Sequence, residues 1–83
     1  MYFSDALCAC LYSSKYVARS SFAAGTFVYY DPANKRVSKW TGGAGGWNDP
    51  NTSSGSGAAY NFTMGDIVDG TSGLPVNDWS IVG

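Results

Sequence analysis

Histidine and glutamate are absent from this 83-residue chain, cysteine occurs twice, and charged residues make up only 13% of it. Each shortage closes a class of function. Without histidine the most versatile acid–base side chain near neutral pH is gone, and no serine or cysteine has an obvious base to activate it as a nucleophile. The chain is therefore expected to bind rather than to catalyse. A zinc site needs about four thiolate or imidazole ligands, whereas Cys8 and Cys10 are the only candidates. Those two lie two positions apart, where they point to different sides of a helix or crowd each other on a strand, so no disulfide is expected. Asp66 and Asp69 lack the oxygen-rich alternation and the closing glutamate of a calcium loop; they read as a helix-start carboxylate and a turn residue. Neither a metal nor a cofactor is expected.

Five Lys and Arg stand against six acidic residues, a net charge of −1. A protein that grips a nucleic-acid polymer needs a basic face, and this balance cannot build one. No apolar run approaches the roughly 20 residues of a membrane-spanning helix. The opening Met1-Tyr2-Phe3-Ser4-Asp5 lacks the basic start and long apolar stretch of a signal peptide. A cytoplasmic protein with reduced thiols is the expectation. At this length a single domain, residues 1–83, buries only about 60% of the surface its unfolded form exposes. Self-association is the remaining way to strengthen so small a core.

Rings are what the chain has in plenty: three Trp, six Tyr and four Phe, or 16% of its residues. They suit both a core and a stacking surface. Along the chain, Ser4 is a good N-cap with Asp5 in the first turn, and Leu7 and Leu11 lie one above the other, which predicts a short helix over about residues 5 to 13. Phe3, before the cap, is placed to staple onto Cys8, which then reads as a small buried hydrophobe. Tyr16-Val17-Ala18-Arg19 and Thr26-Phe27-Val28-Tyr29-Tyr30 are rich in strand formers. Asp31-Pro32-Ala33-Asn34 has the residues of a type I turn, and Arg36-Val37-Ser38-Lys39-Trp40 returns as a strand.

The stretch from Thr41 to Gly57 is rich in glycine, with Trp47 as its one large apolar side chain, and reads as a long loop. Ala58 to Phe62 is expected to form another strand, Thr63-Met64-Gly65-Asp66-Ile67 a short capped helical turn, and Asp78 to Val82 a last strand with Trp79 and Ile81 on one face. The fold class that follows is α+β: a short N-terminal helix packed on a small, mainly antiparallel sheet of about four to five strands, with a helical turn before the last strand.

Gly42-Gly43-Ala44-Gly45-Gly46 is a weak match to a phosphate-cradling loop, since neither Lys-Ser nor Lys-Thr follows it. The sequons at Asn51 and Asn61 carry meaning only in a secreted protein. What remains is a binding inventory. It holds Arg19 for a phosphate or a base edge, the turn at Thr63 whose N–H groups attract anions, and Phe22, Trp40, Trp47, Tyr60 and Trp79 for stacking.

Several stretches, from one end of the chain to the other, bear on that inventory. Phe3-Ser4-Asp5-Ala6-Leu7 is a cap followed by a helix, and Tyr16-Val17-Ala18-Arg19-Ser20-Ser21-Phe22 contains a Val-Ala-Arg segment. Thr63-Met64-Gly65-Asp66-Ile67 is a turn with Asp before an aliphatic residue, and Asn77-Asp78-Trp79-Ser80-Ile81-Val82 closes with Asp-Trp. Together they resemble the second group of Thoeris anti-defence proteins, small phage-encoded proteins that sequester immune signalling nucleotides. Two departures stand out. Ser21-Phe22 occupies the place of the usual Gly-Trp, and the Asp69 to Pro75 loop separates two elements that the family keeps close.

The resemblance implies a homotetramer that holds glycocyclic ADP-ribose, the messenger made by TIR enzymes of the Thoeris system, in pockets formed between subunits and without degrading it. Some relatives also bind the cyclic dinucleotides of CBASS, made by cGAS-like enzymes. The setting it implies is the cytoplasm of a phage-infected bacterial host. Phe22 would then stack on a base, while Arg19 and the N–H groups after Thr63 would face phosphate. Asp66 would hold the turn or a ribose hydroxyl, and Asp78 with Trp79 would shape the pocket wall. The main competing expectation is a virion decoration or assembly protein with no small-molecule ligand, which the glycine- and tyrosine-rich composition also suits.

Overall fold

Helix α1 runs Phe3–Tyr12, with Tyr2 rather than Ser4 in the capping position and Ala6 N–H bonded to Tyr2 O at 3.1 Å. The computed structural model describes residues 1–23, 25–42 and 55–82. The helix starts earlier than expected because Phe3 belongs to its inward face: its ring lies 4.8 Å from that of Phe62 and 6.0 Å from that of Trp79, edge-on in both cases. Half-buried Phe3 and buried Ala6 and Cys10 therefore form the inward stripe, at i, i+3 and i+7. That rotation corrects the reading of the cysteines. Cys8 is exposed and Cys10 buried, where burial pushes the Cys10 thiol up to about 11. Leu11 is correspondingly left partly exposed. Small side chains at positions 6 and 10 let α1 lie close over the sheet, against Val17 and Val28. Past the helix, Ser14 takes a left-handed conformation at φ 53° and turns the chain into the first strand.

The described strands form one antiparallel sheet of five: β1 Tyr16–Arg19, β2 Thr26–Asp31, β3 Arg36–Gly42, β4 Gly55–Ala59 and β5 Trp79–Val82, in the order β4-β3-β2-β1-β5. This is the α+β class that the sequence predicts, down to a 3-10 turn, Met64–Asp66, ahead of the last strand. The β2–β3 hairpin closes as its residues dictate. Asp31 Oδ1 accepts the N–H groups of Ala33 and Asn34 at 3.0 and 3.3 Å, and Oδ2 accepts the Asn34 amide at 2.6 Å. The Asn34 side-chain bond leads the contacts that hold the Asp31 carboxyl below its usual range.

Strand β4 differs from expectation. It occupies Gly55–Ala59 rather than Ala58 to Phe62, pairing Gly42↔Gly55 through Ser38↔Ala59. An edge strand of glycine, serine and alanine carries no β-propensity signal; it is held by its ladder and by the space available. Gly57 illustrates the space, because a Cβ there would stand 2.8 Å from the Tyr29 hydroxyl. The expected loop is thus shorter at both ends, and Trp47 lies outside the described residues.

The two faces of the sheet carry separate clusters. Under α1 lie Val17, Val28, Val76 and Trp79; on the opposite face Ala18, Phe27 and Trp40 are ringed by Tyr16, Tyr29 and Val82. Tyr16 stacks on Phe27 at 4.5 Å and Tyr29 meets it edge-on at 5.8 Å. Phe22, in the β1–β2 connection, packs against both clusters. Among the described residues no helix is long and apolar enough to cross a membrane.

Candidate functional site

Strands β1 and β5 are paired so that Arg19 lies opposite Trp79. This register brings the end of one strand beside the start of the other, and with them the residues on either side. The Arg19 Nε donates to Asp78 Oδ1 at 3.0 Å, one terminal nitrogen reaches Asp78 Oδ2 at 3.5 Å, and the other donates to Gly65 O at 3.0 Å. That last nitrogen also lies 3.7 Å from Asp66 Oδ1. Ser20 Oγ donates to Asp78 Oδ2 at 2.8 Å. Partial burial pushes the Asp78 carboxyl up, but the bonds from Ser20 and Arg19 outweigh it and hold the group below the usual carboxylate range.

Asp66 is the buried centre of the group. Its Oδ2 accepts the Thr63 N–H at 3.0 Å, its own N–H bonds Thr63 O at 3.0 Å, and its carbonyl accepts the indole N–H of Trp79 at 3.1 Å. The Tyr60 hydroxyl also bonds the Asp66 side chain; burial first, and then this bond, push Tyr60 up to about 12. The Asp66 carboxylate thus closes back on the residue that opens the turn, the turn-holding role expected of it. Trp79 is buried beneath it, so this indole fixes the turn rather than presenting a stacking face.

Two half-buried rings lie to one side. Phe22 meets Trp79 edge-on at 5.8 Å, and Tyr60 meets Phe62 edge-on at 4.8 Å. Between Phe22 and Tyr60 stands Lys39, whose ammonium is 4.4 Å from the first ring centroid and 5.9 Å from the second. All six residues singled out from the sequence, Arg19, Phe22, Thr63, Asp66, Asp78 and Trp79, belong to this one neighbourhood. Tyr60 was expected only as one ring among several, and Lys39 was missed. Its signal is a charge at an alternating position: Val37 and Lys39 share the face of β3 that lies toward the helix, as their partners Tyr30 and Val28 do.

The Asp69 to Pro75 loop does not pull the neighbourhood apart. Asp69 Oδ1 accepts the N–H groups of Thr71 and Ser72 at 2.8 and 3.4 Å, and Gly73 takes φ 72°. Val68 then bridges to Pro75, and the Val76 N–H returns to Ile67 O at 2.9 Å. The loop is a closed excursion that restores the chain beside its point of departure.

A hollow of about 170 Å³ lies beside Arg19 and Phe22, lined also by Ala18, Phe27, Ser80 and Val82. Small-molecule sites span about 300–1,000 Å³, which this hollow alone does not reach; a larger one of about 510 Å³ lies apart from it, lined by Leu11, Tyr16, Tyr29 and Asp31. Among the described residues no group of three His, Cys, Asp or Glu side chains is disposed to hold a metal ion. No protein-family model, curated protein or solved structure matches the chain.

Proposed function

We propose that this protein binds and sequesters a small phosphorylated nucleotide and releases it unchanged. Glycocyclic ADP-ribose, the messenger of TIR enzymes, is the first ligand; the cyclic dinucleotides of CBASS are the second class. The carrying observation is convergence. Residues as far apart as 19, 22, 60, 66 and 78 gather into a cluster of ion-paired carboxylates flanked by half-buried rings. Phe22 and Tyr60 offer ring surface for a base, while Asp66 and Asp78, committed to Thr63, Ser20 and Arg19, hold the wall with Thr63 and Trp79.

The hollow beside Arg19 and Phe22 is too small to enclose a dinucleotide-sized molecule, which favours a site completed there by a second copy in a homotetramer. Met64 and Leu74, 70% and 65% exposed, are apolar side chains on the segments around the cluster, and a neighbouring subunit would cover them. A sponge must hold its messenger below the threshold of the effector, roughly nanomolar or about −12 kcal/mol. Stacking and charge-assisted hydrogen bonds in a preformed pocket reach that without catalytic groups. On this reading the protein works in the cytoplasm of a phage-infected bacterium, where such messengers are made.

The test incubates purified protein with glycocyclic ADP-ribose, measures free ligand, denatures the protein by heat and measures again. Depletion followed by return of intact ligand is expected. Return of an altered product would replace sequestration with degradation, and no depletion of this ligand or of cyclic dinucleotides would leave a structural role such as virion decoration.

A further inference from the structure

We infer that Lys39, and not Arg19, supplies the positive charge that meets the ligand's phosphate, an inference that rests on the sequestration reading above. Three of the five Arg19 N–H donors are taken up from within, by Asp78 and Gly65 O, and its charge is already shared by Asp78 and, at 3.7 Å, by Asp66. One guanidinium facing two carboxylates leaves that cluster with a net negative charge, which repels an anion at short range. The carboxylates are committed in turn, Asp78 to Ser20 and Asp66 to Thr63 and Tyr60.

Lys39 is in the opposite situation. It projects from a central strand, half-buried, with its cross-strand neighbours Val28 and Ala58 both uncharged. No carboxylate among the described residues forms an ion pair with it. Its ammonium rests on the Phe22 ring at 4.4 Å and near Tyr60 at 5.9 Å. A cation held by ring faces keeps its three donors for another partner. A ligand whose base stacks on Phe22 or Tyr60 would therefore bring a neighbouring phosphate to this ammonium, pairing base and phosphate recognition over a span of one nucleotide.

The experiment compares capture of glycocyclic ADP-ribose by the wild type, Lys39→Met and Lys39→Arg, each at low and at raised salt. Circular dichroism and thermal melting verify the fold of each variant, and Lys39→Gln replaces Lys39→Met if the latter fails to fold. The inference expects Lys39→Met to lose tenfold or more in affinity at low salt and to become less sensitive to salt, because the screened charge–charge attraction has been removed. Lys39→Arg should retain most of the affinity and the salt dependence. A Lys39→Met protein that captures ligand as the wild type does, with the same salt dependence, overturns the role of Lys39 while leaving sequestration intact. A wild type that captures nothing overturns the sequestration reading first, and the inference with it.

Discussion

Replacing Arg19 with methionine would keep the aliphatic stem and remove the guanidinium, stranding two carboxylates that now share it. The magnitude follows from burial. Exposed ion pairs contribute about 0–1 kcal/mol, whereas removing one partner of a buried pair costs about 3–5 kcal/mol. The Arg19 side chain is 23% exposed, Asp78 33% and Asp66 only 9%, which sets the loss between those limits, at about 2–3 kcal/mol. In a domain of this size each kilocalorie lowers the melting temperature by about 4–8 °C, so Arg19→Met should melt roughly 10–20 °C below the wild type. Combined with Asp78→Asn, the losses should be less than additive by about 1 kcal/mol, because the two residues share one interaction. Thermal denaturation followed by far-UV circular dichroism measures all three variants. A melting temperature within about 3 °C of the wild type would refute the view that Arg19 braces the fold; weakened ligand capture in that unaltered protein would return it to the ligand.

Three further outcomes are expected. Asp78 has a depressed carboxyl, so its stabilisation is complete above the unfolded value of about 3.9 and is lost as pH falls through the folded one; between about pH 5 and pH 3 the wild type should therefore lose more melting temperature than Asp78→Asn. Gly57→Ala would place a methyl 2.8 Å from the Tyr29 hydroxyl and should cost about 1–2 kcal/mol by urea denaturation, an effect that a mere change of strand propensity would reverse in sign. A thiol reagent at about pH 8 should label exposed Cys8 and spare buried Cys10 until the protein unfolds, so that two rapidly labelled thiols in the native protein would contradict the orientation of α1.

How far the sequence discloses this molecule depends on the range over which each signal acts. Strands β1, β2 and β3 are legible because their residues are branched or aromatic, and Asp31 with Pro32 punctuates the turn. Strand β4 is not, since Gly55–Ala59 is recruited by pairing with β3 and has no propensity of its own. The buried face of α1 is not legible locally, because Leu7 and Leu11 make as good a pattern as Phe3, Ala6 and Cys10. The choice between them is made by Phe62 and Trp79, far away in sequence.

The neighbourhood of Arg19 was visible through the types of its residues, but not through their use. Its pairing with Asp78 spans 59 positions, and no local pattern states that a guanidinium will be satisfied internally. Lys39 is hidden for the converse reason: a lysine in a strand reads as solvent-facing until the register turns it toward the rings of Phe22 and Tyr60.

Native mass spectrometry of the protein mixed with glycocyclic ADP-ribose tests the central claim most directly, since it weighs the assembly and its guest together. A tetramer carrying ligand of unchanged mass is the result expected. A bare monomer, or an assembly that holds neither this messenger nor a cyclic dinucleotide, would contradict the account.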